Sequence, residues 1–316
     1  MQDSQLANTA HDDSLAAFVE VRPRLFGIAY RMLGSSAEAE DIVQDVWLRW
    51  QTSDRNAVQN ASAFLATTTT RLALNLAQSA RSRRETYVGS WLPEPVATEG
   101  DPHLGAERAA ALEFAVLLLL EKLTPTERAA YVLREAFDYP YHEISEVLQT
   151  SEANVRQLVS RARKHISNGR RTSVSAAERR RLFTAFVEAA RNGDLEQLER
   201  LLASDVASSA DGGGIVRATR TPVVGRERVA KFIAAIASHF RNGVTLTWIE
   251  ANAQPAILIS RGTDAVACAT IDASEEGIHH IMWMMRPSKL AAISHLNRSL
   301  GRAHLEPTSS TQPPEC

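Results

Sequence analysis

The stretch Tyr139–Ile166, "YPYHEISEVLQTSEANVRQLVSRARKHI", holds two apolar patterns separated by a short polar break. Pro140 suits the start of a short helix that turns Ile144, Val147 and Leu148 inward. "QTS", Gln149–Ser151, makes a tight connection in which Thr150 or Ser151 can cap the next helix. In that helix Val155, Leu158, Val159 and Ala162 share one face at 3.6-residue spacing. The other face shows Asn154, Arg156, Gln157, Ser160, Arg161, Arg163 and Lys164. From Glu152 to Arg171 there are six basic residues and one acid, a local charge of +5. A short helix, a tight turn and a second helix with an Arg/Asn/Gln outer face is the build of a helix-turn-helix. Arg and Gln can bond base edges in the major groove, while Arg and Lys hold phosphates. A basic face alone would equally suit a solvated surface, and the turn spacing decides for DNA.

Just upstream, "LTPTERAAYVLREAF" opens with a capping box: Thr124 as cap, Pro125 at the first helical position and Glu127 three after the cap. The whole of Leu123–Ile166 resembles the minus-thirty-five-binding region of bacterial sigma factors, especially the extracytoplasmic-function (ECF) group. Their fourth conserved region has the form T-S-E-x-x-V-R-x-L-x-x-R-A-R-K. The resemblance implies minus-thirty-five contacts from Ser151, Asn154, Arg156, Gln157, Arg161, Arg163 and Lys164.

A second helical module lies N-terminal to this one, from about Ser14 to Arg84. In "AEAEDIVQDVWLRW" Asp41, Gln44, Asp45 and Leu48 fall at i, i+3, i+4 and i+7, on one helix stripe. Ile42, Val43, Val46, Trp47 and Trp50 cover the other faces. Such a stripe suits docking of a basic, partly apolar partner, or simply a solvated face. "FGIAYRMLGSSAEAEDIVQDVWLRW" is similar to the sigma-factor segment that grips the clamp helices of RNA polymerase, which implies docking. Downstream, "RLALNLAQSARSRR" has four arginines and no acid, with Leu72, Leu76 and Ala80 on one face. Its position resembles the sigma helix that reads the minus-ten element, implying DNA contacts from Arg71, Asn75, Arg81, Arg83 and Arg84. The loop from about Asp54 to Ser62 would correspond to the part that captures a flipped base. With few aromatics nearby, capture there would rest on a shaped pocket and polar contacts.

Global composition is neutral about DNA. The chain has 316 residues, a net charge of −2, 44% apolar and 23% charged residues, ordinary values for a globular protein. "MQDSQLANTAHDDS" lacks the apolar centre of a signal peptide, and Ala115–Leu120 is too short to span a bilayer. A cytoplasmic protein is expected, with no membrane partner. Cys268 and Cys316 form no metal-spaced or redox pair. Neither helical module shows a nucleotide loop, metal spacing or nucleophile motif, so no cofactor is expected and the work is binding.

After the joint "SNGRRTSVSA" the pattern changes. Helical stretches at Glu178–Asn192 and Leu195–Leu202 precede alternating runs "VTLTWIEA", "PAILIS", "AVACATID" and "HHIMWMM", with the helix "RERVAKFIAAIASHF" before them. "FVEAARNGDLEQLERLLASDV" resembles the opening of SnoaL-like domains of the NTF2-like superfamily, which implies a curved sheet wrapped by helices into a cone. That superfamily includes cyclases and isomerases. Candidate acid–base groups are Asp211, Asp272, His279 and His280, but they form no convergent set. His279 and His280, adjacent on a strand, are expected on opposite faces.

The linker between the helical modules contains "WLPEP", Trp91, Leu92, Pro93, Glu94 and Pro95. The prolines hold it extended. Sigma factors fused to a SnoaL-like domain form a subgroup marked by "WLPEP", a "DGGGK" loop and a near-terminal "NPDKL". Here "DGGG" stands at Asp211, Gly212, Gly213 and Gly214, with Ile215 at the lysine position. "RPSKL" keeps Pro287, Lys289 and Leu290 but departs at Arg286 and Ser288. The resemblance implies that the extra domain tunes sigma activity from within the chain. We expect it to grip the linker and set how far apart the promoter-binding modules sit; Trp91 packing on its own helical module is the alternative.

The expected fold is therefore multidomain: two all-α sigma modules, the second with the helix-turn-helix, plus a C-terminal α+β NTF2-like/SnoaL-like cone. The boundaries are 14–84 for the first module, 85–107 for the linker, 108–171 for the second, 177–300 for the cone and 301–316 for a disordered tail. Expected partners are core RNA polymerase (clamp helices and flap), promoter DNA and a possible small ligand in the cone. Two other readings compete. A repressor or activator using only the helix-turn-helix would not need "AEDIVQDVWLRW". A cyclase or isomerase would need a coherent catalytic set.

Overall fold

A computed structural model describes residues 2–54, 57–85, 87–97, 113–169, 171–237 and 243–294. The first module is three helices: α1 (Gln2–Leu33), α2 (Ser36–Thr52) and α3 (Ala61–Glu85). Helix α1 begins well before Ser14, earlier than the sequence boundary. Ser35 caps α2 through its hydroxyl, which accepts from the Glu38 N–H. The second module comprises α4 (Phe114–Glu121), α5 (Pro125–Tyr131) running into a π-turn at Val132–Ala136, α6 (Tyr141–Leu148) and α7 (Glu152–Gly169). The capping box of Thr124 and Glu127 is fully formed. Gln149 turns left-handed at φ 50°, and Ser151 caps α7 by accepting from Asn154 N–H at 3.2 Å.

The two helical modules are not separate beads. Leu25, Ile28 and Met32 of α1, Val43 and Val46 of α2, and Leu65 of α3 join one continuous core with Leu117, Leu133, Ile144, Val155 and Val159. Polar ties cross the same boundary. Arg128 donates to Met32 O at 2.6 Å and pairs with Glu121. Arg24 donates to Phe137 O at 3.3 Å and lies over the Tyr139 ring.

The C-terminal domain begins with α8 (Ala176–Asn192) and α9 (Leu195–Leu201), then β1 (Leu202–Asp211), β2 (Val223–Val224) and α10 (Arg226–Ile236). Strands β3 (Thr245–Ala251), β4 (Gln254–Arg261), β5 (Asp264–Ser274) and β6 (Gly277–Met284) follow, then α11 (Pro287–Ser294). The six-stranded sheet runs β2-β1-β6-β5-β4-β3, with β1 parallel to β6 and the other pairs antiparallel. The four alternating runs are strands as expected. β1, "LASDVASSAD", is a strand that alternation did not reveal, because Ala, Ser and Asp are weak strand formers.

The sheet buries both faces. On one, Phe183, Phe186, Leu198, Val229 and Ile233 cover Ile257, Ile259, Ile271 and Trp283 to form the cone. On the other, Leu258, Cys268, Met282 and Met284 pack against Leu290 and Ile293 of α11, Leu92 of the linker and Phe114 of α4. Phe114 is fully buried, and such a ring contributes about 1.5–3 kcal/mol to holding the domains together.

Candidate nucleic-acid and polymerase interface

On α2 the stripe emerges as the periodicity implies. Asp41, Gln44 and Leu48 are exposed and Asp45 is half-buried beside Arg49, at 3.4 Å. The opposite residues Ile42, Val43, Val46 and Trp50 are buried, and Trp50 Nε1 donates to Ser14 O at 3.1 Å. Leu72 and Leu76 of α3 line a groove with the stripe. Along Arg71–Ala80 the expected face holds in part: Ala80 is buried, together with Ala73 and Ala77, while Leu72 and Leu76 are half-buried on the rim. Small residues let α3 approach α1 closely, leaving an apolar shelf beside the acids.

Of the minus-ten candidates, Asn75 is exposed on α3. The side chains of Arg81, Arg83 and Arg84 lie outside the described residues, as do residues 55 and 56 of the preceding loop. Asn60 caps α3, accepting from Ala63 N–H at 3.0 Å. Arg71 is engaged within the protein. Its Nε donates to Val147 O at 3.1 Å and its Nη2 to Glu146 O at 3.0 Å, the carbonyls that end α6. A cation there complements the negative end of the helix dipole.

Helix α7 buries Val155, Leu158, Val159, Ala162 and Ile166. Ser151, Asn154, Arg156, Gln157, Arg161, Arg163 and Lys164 are all exposed. Three of the arginines carry ion pairs: Arg156 with Glu152 at 2.8 Å, Arg161 with Glu127 at 3.1 Å and Arg163 with Glu135 at 2.7 Å. Burial raises the Glu127 carboxyl, but bonds from Thr124 and the Arg161 charge outweigh it and lower its pKa. Exposed pairs of this kind are worth about 0–1 kcal/mol, so a DNA phosphate can replace them.

The linker is held from two sides. Leu92, Pro93, Glu94 and Pro95 are buried. Toward the C-terminal domain, Leu92 N–H donates to Asp211 Oδ2 at 2.9 Å and Tyr87 OH to Asp211 Oδ1 at 2.6 Å. Lys289 Nζ donates to Asp211 Oδ2 at 2.7 Å and also to Leu92 O. Its ammonium sits 4.4 Å from the centre of the Trp91 ring. Burial, then the bond to Asp211, pushes the Tyr87 hydroxyl up to about 12.

Toward the first module, Glu94 N–H donates to Gly34 O at 2.8 Å. The Glu94 carboxylate accepts from Ser36 N–H at 2.7 Å, Ser36 OH at 2.8 Å, Ala37 N–H at 3.1 Å and Ser35 OH at 3.0 Å. It thus caps α2 from a distant segment, where unpaired N–H groups and the dipole favour an anion. Trp91 lies on Gly34, where an added Cβ would come within 2.5 Å of the ring. So Trp91 packs on its own module and is also gripped by the C-terminal domain: both expectations hold in part.

A third tie escaped sequence reasoning. Asn252, in the β3–β4 turn at φ 56°, accepts from Val96 N–H at 2.9 Å and donates its own N–H to Val96 O at 2.8 Å. Its Nδ2 donates to Tyr30 OH at 2.7 Å, and Tyr30 OH donates to Glu94 O at 2.6 Å. A left-handed Asn suits a turn, but nothing local to it signals a partner more than two hundred residues away. Tyr87, Tyr30, Ser35 and Ser36 were missed for the same reason.

The subgroup marks sort by burial. Lys289 and Leu290 are buried in the clamp, while Pro287 and Ser288 are exposed at the start of α11. Arg286 stacks on Tyr87, with 5.9 Å to the ring centre. Ile215 is 69% exposed, so the departure at the lysine position leaves the clamp untouched. Gly213 adopts φ 59° beneath Tyr87, whose hydroxyl would lie 2.9 Å from an added Cβ.

The cone holds a void of about 40 Å³ lined by Phe183, Phe186, Ile233, Ile257 and Trp283. Pockets for small ligands typically run from about 300 Å³ upward, and this void is smaller. None of Asp211, Asp272, His279 or His280 lines the void. Asp272 and His280 face a space of about 290 Å³ between the sheet and α4, beside Glu113, Lys122 and Arg171. Burial, then the Lys122 charge, lowers His280 to about 4, and burial raises Asp272. The register shifts between Asp272 and Ala273, pairing Asp272 with His280 and Ala273 with Ile278. This bulge breaks the expected strict alternation at His279. His279 bonds Ser274 at 2.6 Å and also Arg171.

An acidic helix stripe, a basic helix-turn-helix and a built-in domain bonded to the linker fit a promoter-recognition protein of the sigma class. Comparison with known proteins agrees. Residues 17–84 match Sigma-70 region 2 and residues 113–166 match Sigma-70, region 4. The ECF RNA polymerase sigma factor SigJ of Mycobacterium tuberculosis (strain ATCC 25618 / H37Rv) is 38% identical over 73% of this chain and 75% of its own. The probable ECF RNA polymerase sigma factor SigI of Mycobacterium tuberculosis (strain CDC 1551 / Oshkosh) is 32% identical over 89% of this chain and 96% of its own. The crystal structure of Mycobacterium tuberculosis SigJ superposes with a TM-score of 0.71 at 30% identity, covering 88% of this chain and 98% of that one. The chain belongs to the ECF RNA polymerase sigma factors. It is not an enzyme, and its two sigma regions bind RNA polymerase and promoter DNA. No helix among the described residues is long and apolar enough to cross a membrane.

Proposed function

We propose that this sigma factor rests in a closed form, and that its C-terminal domain regulates opening through the linker. Polymerase clamp helices dock on Asp41, Gln44, Asp45 and Leu48, and the flap engages the second module. Arg71, Asn75, Arg81, Arg83 and Arg84 serve the minus-ten element, and α7 serves the minus-thirty-five element, in the cytoplasm and without a cofactor.

One observation carries this reading. Arg71, a minus-ten candidate, is bonded to the carbonyls of Glu146 and Val147, which immediately precede the turn into the recognition helix. Elements at minus ten and minus thirty-five are about 25 base pairs apart, or roughly 85 Å of B-form DNA at ~3.4 Å per pair. Readers in direct contact cannot occupy sites so far apart. The first and second modules must part before both elements are bound, and Arg71 must let go of α6. The clamp of Asp211 and Lys289 on Leu92 governs how much linker is free to span the gap.

The test is energy transfer between dyes on Gln78→Cys and Asn168→Cys, both at exposed helix positions, in a Cys316→Ser background. Cys268 is buried and its thiol is pushed up to about 12, so it stays unlabelled. Transfer should be high in the free protein and fall on addition of core polymerase and promoter. Active initiation with transfer unchanged would refute the closed resting form.

A further inference from the structure

The loop between β1 and β2, "GGGIVRATRTP" from Gly212 to Pro222, carries Arg217 and Arg220 and no acid. Both arginines are exposed, and neither has an ion pair among the described residues. Some basic side chains elsewhere in the domain are paired, whereas Arg191, Arg228 and Arg261 are, like these two, exposed and without an ion pair among the described residues. Arg181 pairs with Glu178, Arg200 with Glu196 and Lys231 with Glu227. Two unpaired guanidinium groups three residues apart, on a loop without a carboxylate, form a local positive surface on a chain of net charge −2.

The place of the loop matters more than its charge. Helix α3 ends at Glu85, and the chain then runs along this loop. A Cβ on Gly89 would lie 3.8 Å from Thr219 O and 4.0 Å from the Arg220 Cα. A Cβ on Gly214 would lie 3.2 Å from Val88 Cβ. Val88, Gly89, Gly212, Gly214, Arg217 and Arg220 share one surface groove of about 320 Å³. The loop therefore sits at the C-terminal end of the arginine-rich helix, on the path that leads out of it.

This neighbourhood is pinned. Tyr87 and Leu92 bond Asp211, the residue just before the loop, while Glu94 bonds the N-terminus of α2. The linker is thus bonded to the C-terminal domain at Tyr87 and Leu92 and to the first module at Glu94, and Asn252 bonds Tyr30 of α1 directly. When the helix-turn-helix moves away to reach its own element, these ties do not require the loop to leave α3.

We propose that Arg217 and Arg220 hold the DNA phosphodiester backbone flanking the minus-ten element, making the C-terminal domain a third DNA-contacting part of the protein. The proposal rests on the reading that α3 serves the minus-ten element. The contact is with phosphate, so it adds affinity without adding sequence preference.

The test uses holoenzyme assembled from the full chain, wild type or Arg217→Ala with Arg220→Ala, on a promoter fragment from which the wild type initiates. Binding is measured from 50 to 200 mM salt, roughly the range over which phosphate contacts are resolved. Each phosphate contact contributes about 0.9 to the slope of log K against log salt. The double variant should bind with a slope shallower by about 1–2. Over that salt range the wild type should then lose roughly tenfold more affinity than the variant. Promoter and scrambled fragments should weaken alike, and Arg261→Ala, at a distant exposed position, should leave the slope unchanged. An unchanged slope with normal initiation overturns this contact while leaving the minus-ten assignment standing. A lowered affinity for core polymerase at an unchanged DNA slope assigns the arginines to polymerase and also overturns it. If Arg81→Ala with Arg84→Ala leaves minus-ten recognition intact, the assignment of α3 fails, and this contact fails with it.

Discussion

The clamp on the linker predicts a measurable consequence of Asp211→Asn. The substitution keeps shape and removes charge. Asp211 has no exposed surface and Lys289 is 4% exposed, so the change strands a buried ammonium. Breaking a buried pair by removing one partner costs about 3–5 kcal/mol. Lys289 keeps the Leu92 carbonyl and the Trp91 face, and a cation over an aromatic ring retains roughly 0.5–2 kcal/mol. A net loss near 3 kcal/mol follows, or about a hundredfold in the opening equilibrium at ~1.4 kcal/mol per tenfold. The readout is amide hydrogen exchange across Trp91–Ala97. Pro93 and Pro95 have no N–H, so the reporting amides separate cleanly by owner. Leu92 donates to Asp211, Glu94 to Gly34 O and Val96 to Asn252. Leu92 should exchange about a hundredfold faster in the variant, with Glu94 affected less. Adding Lys289→Met should restore much of the protection by removing the stranded charge. A change at Leu92 below about fivefold, or no rescue by the second substitution, would refute a charge-based clamp.

Three further outcomes follow from other parts of the structure. Gly34→Ala places a Cβ at φ 64° under the Trp91 ring, so it should cost at least about 1–2 kcal/mol, seen as a lowered denaturation midpoint and faster exchange at Glu94. His280 is held neutral down to about 4, so the folded state resists a proton that the unfolded chain accepts near 6.5. That stabilising difference is complete above 6.5 and is lost as pH falls toward 4, by up to about 3 kcal/mol at ~1.4 kcal/mol per unit. His280→Gln should flatten stability over that window, and an NMR titration placing the His280 midpoint near 6.5 would contradict it. Asp41→Lys with Asp45→Lys reverses the α2 stripe and should weaken core polymerase binding at least tenfold; unchanged affinity removes the stripe as the docking face.

What the sequence made legible was local. Helical spacing told which residues of α2 and α7 face outward, because a side chain's face depends on its own neighbours within a turn or two. The capping box at Thr124 and Glu127 needed only a three-residue separation. The strand β1 stayed hidden, since its Ala, Ser and Asp residues become strand-like only between β2 and β6. The closure of the two helical modules was equally hidden: Arg71 reads as a DNA contact from its own helix and finds its carbonyls on α6 only in three dimensions.

WLPEP shows where the division falls. Its stiffness follows from two prolines and could be inferred, as could its capacity to present side chains at low entropic cost. Its double ownership could not. The alternation of proline with Leu92 and Glu94 leaves an N–H only at positions where a partner exists, one supplied by Asp211 and the next by Gly34. The Glu94 carboxylate then occupies the N-terminus of α2, the same helix whose outer stripe carries Asp41, Gln44, Asp45 and Leu48. A displacement of the linker by the C-terminal domain would therefore reach the first turn of α2, the helix proposed to dock polymerase. Polymerase affinity and linker grip should therefore be coupled: Glu94→Gln, which keeps one acceptor oxygen for Ser36 and Ala37 but removes the charge facing the dipole, should alter core polymerase binding although residue 94 lies outside the stripe. Equal polymerase affinity for Glu94→Gln and wild type, with Leu92 exchange also equal, would show that the linker and the docking helix act independently.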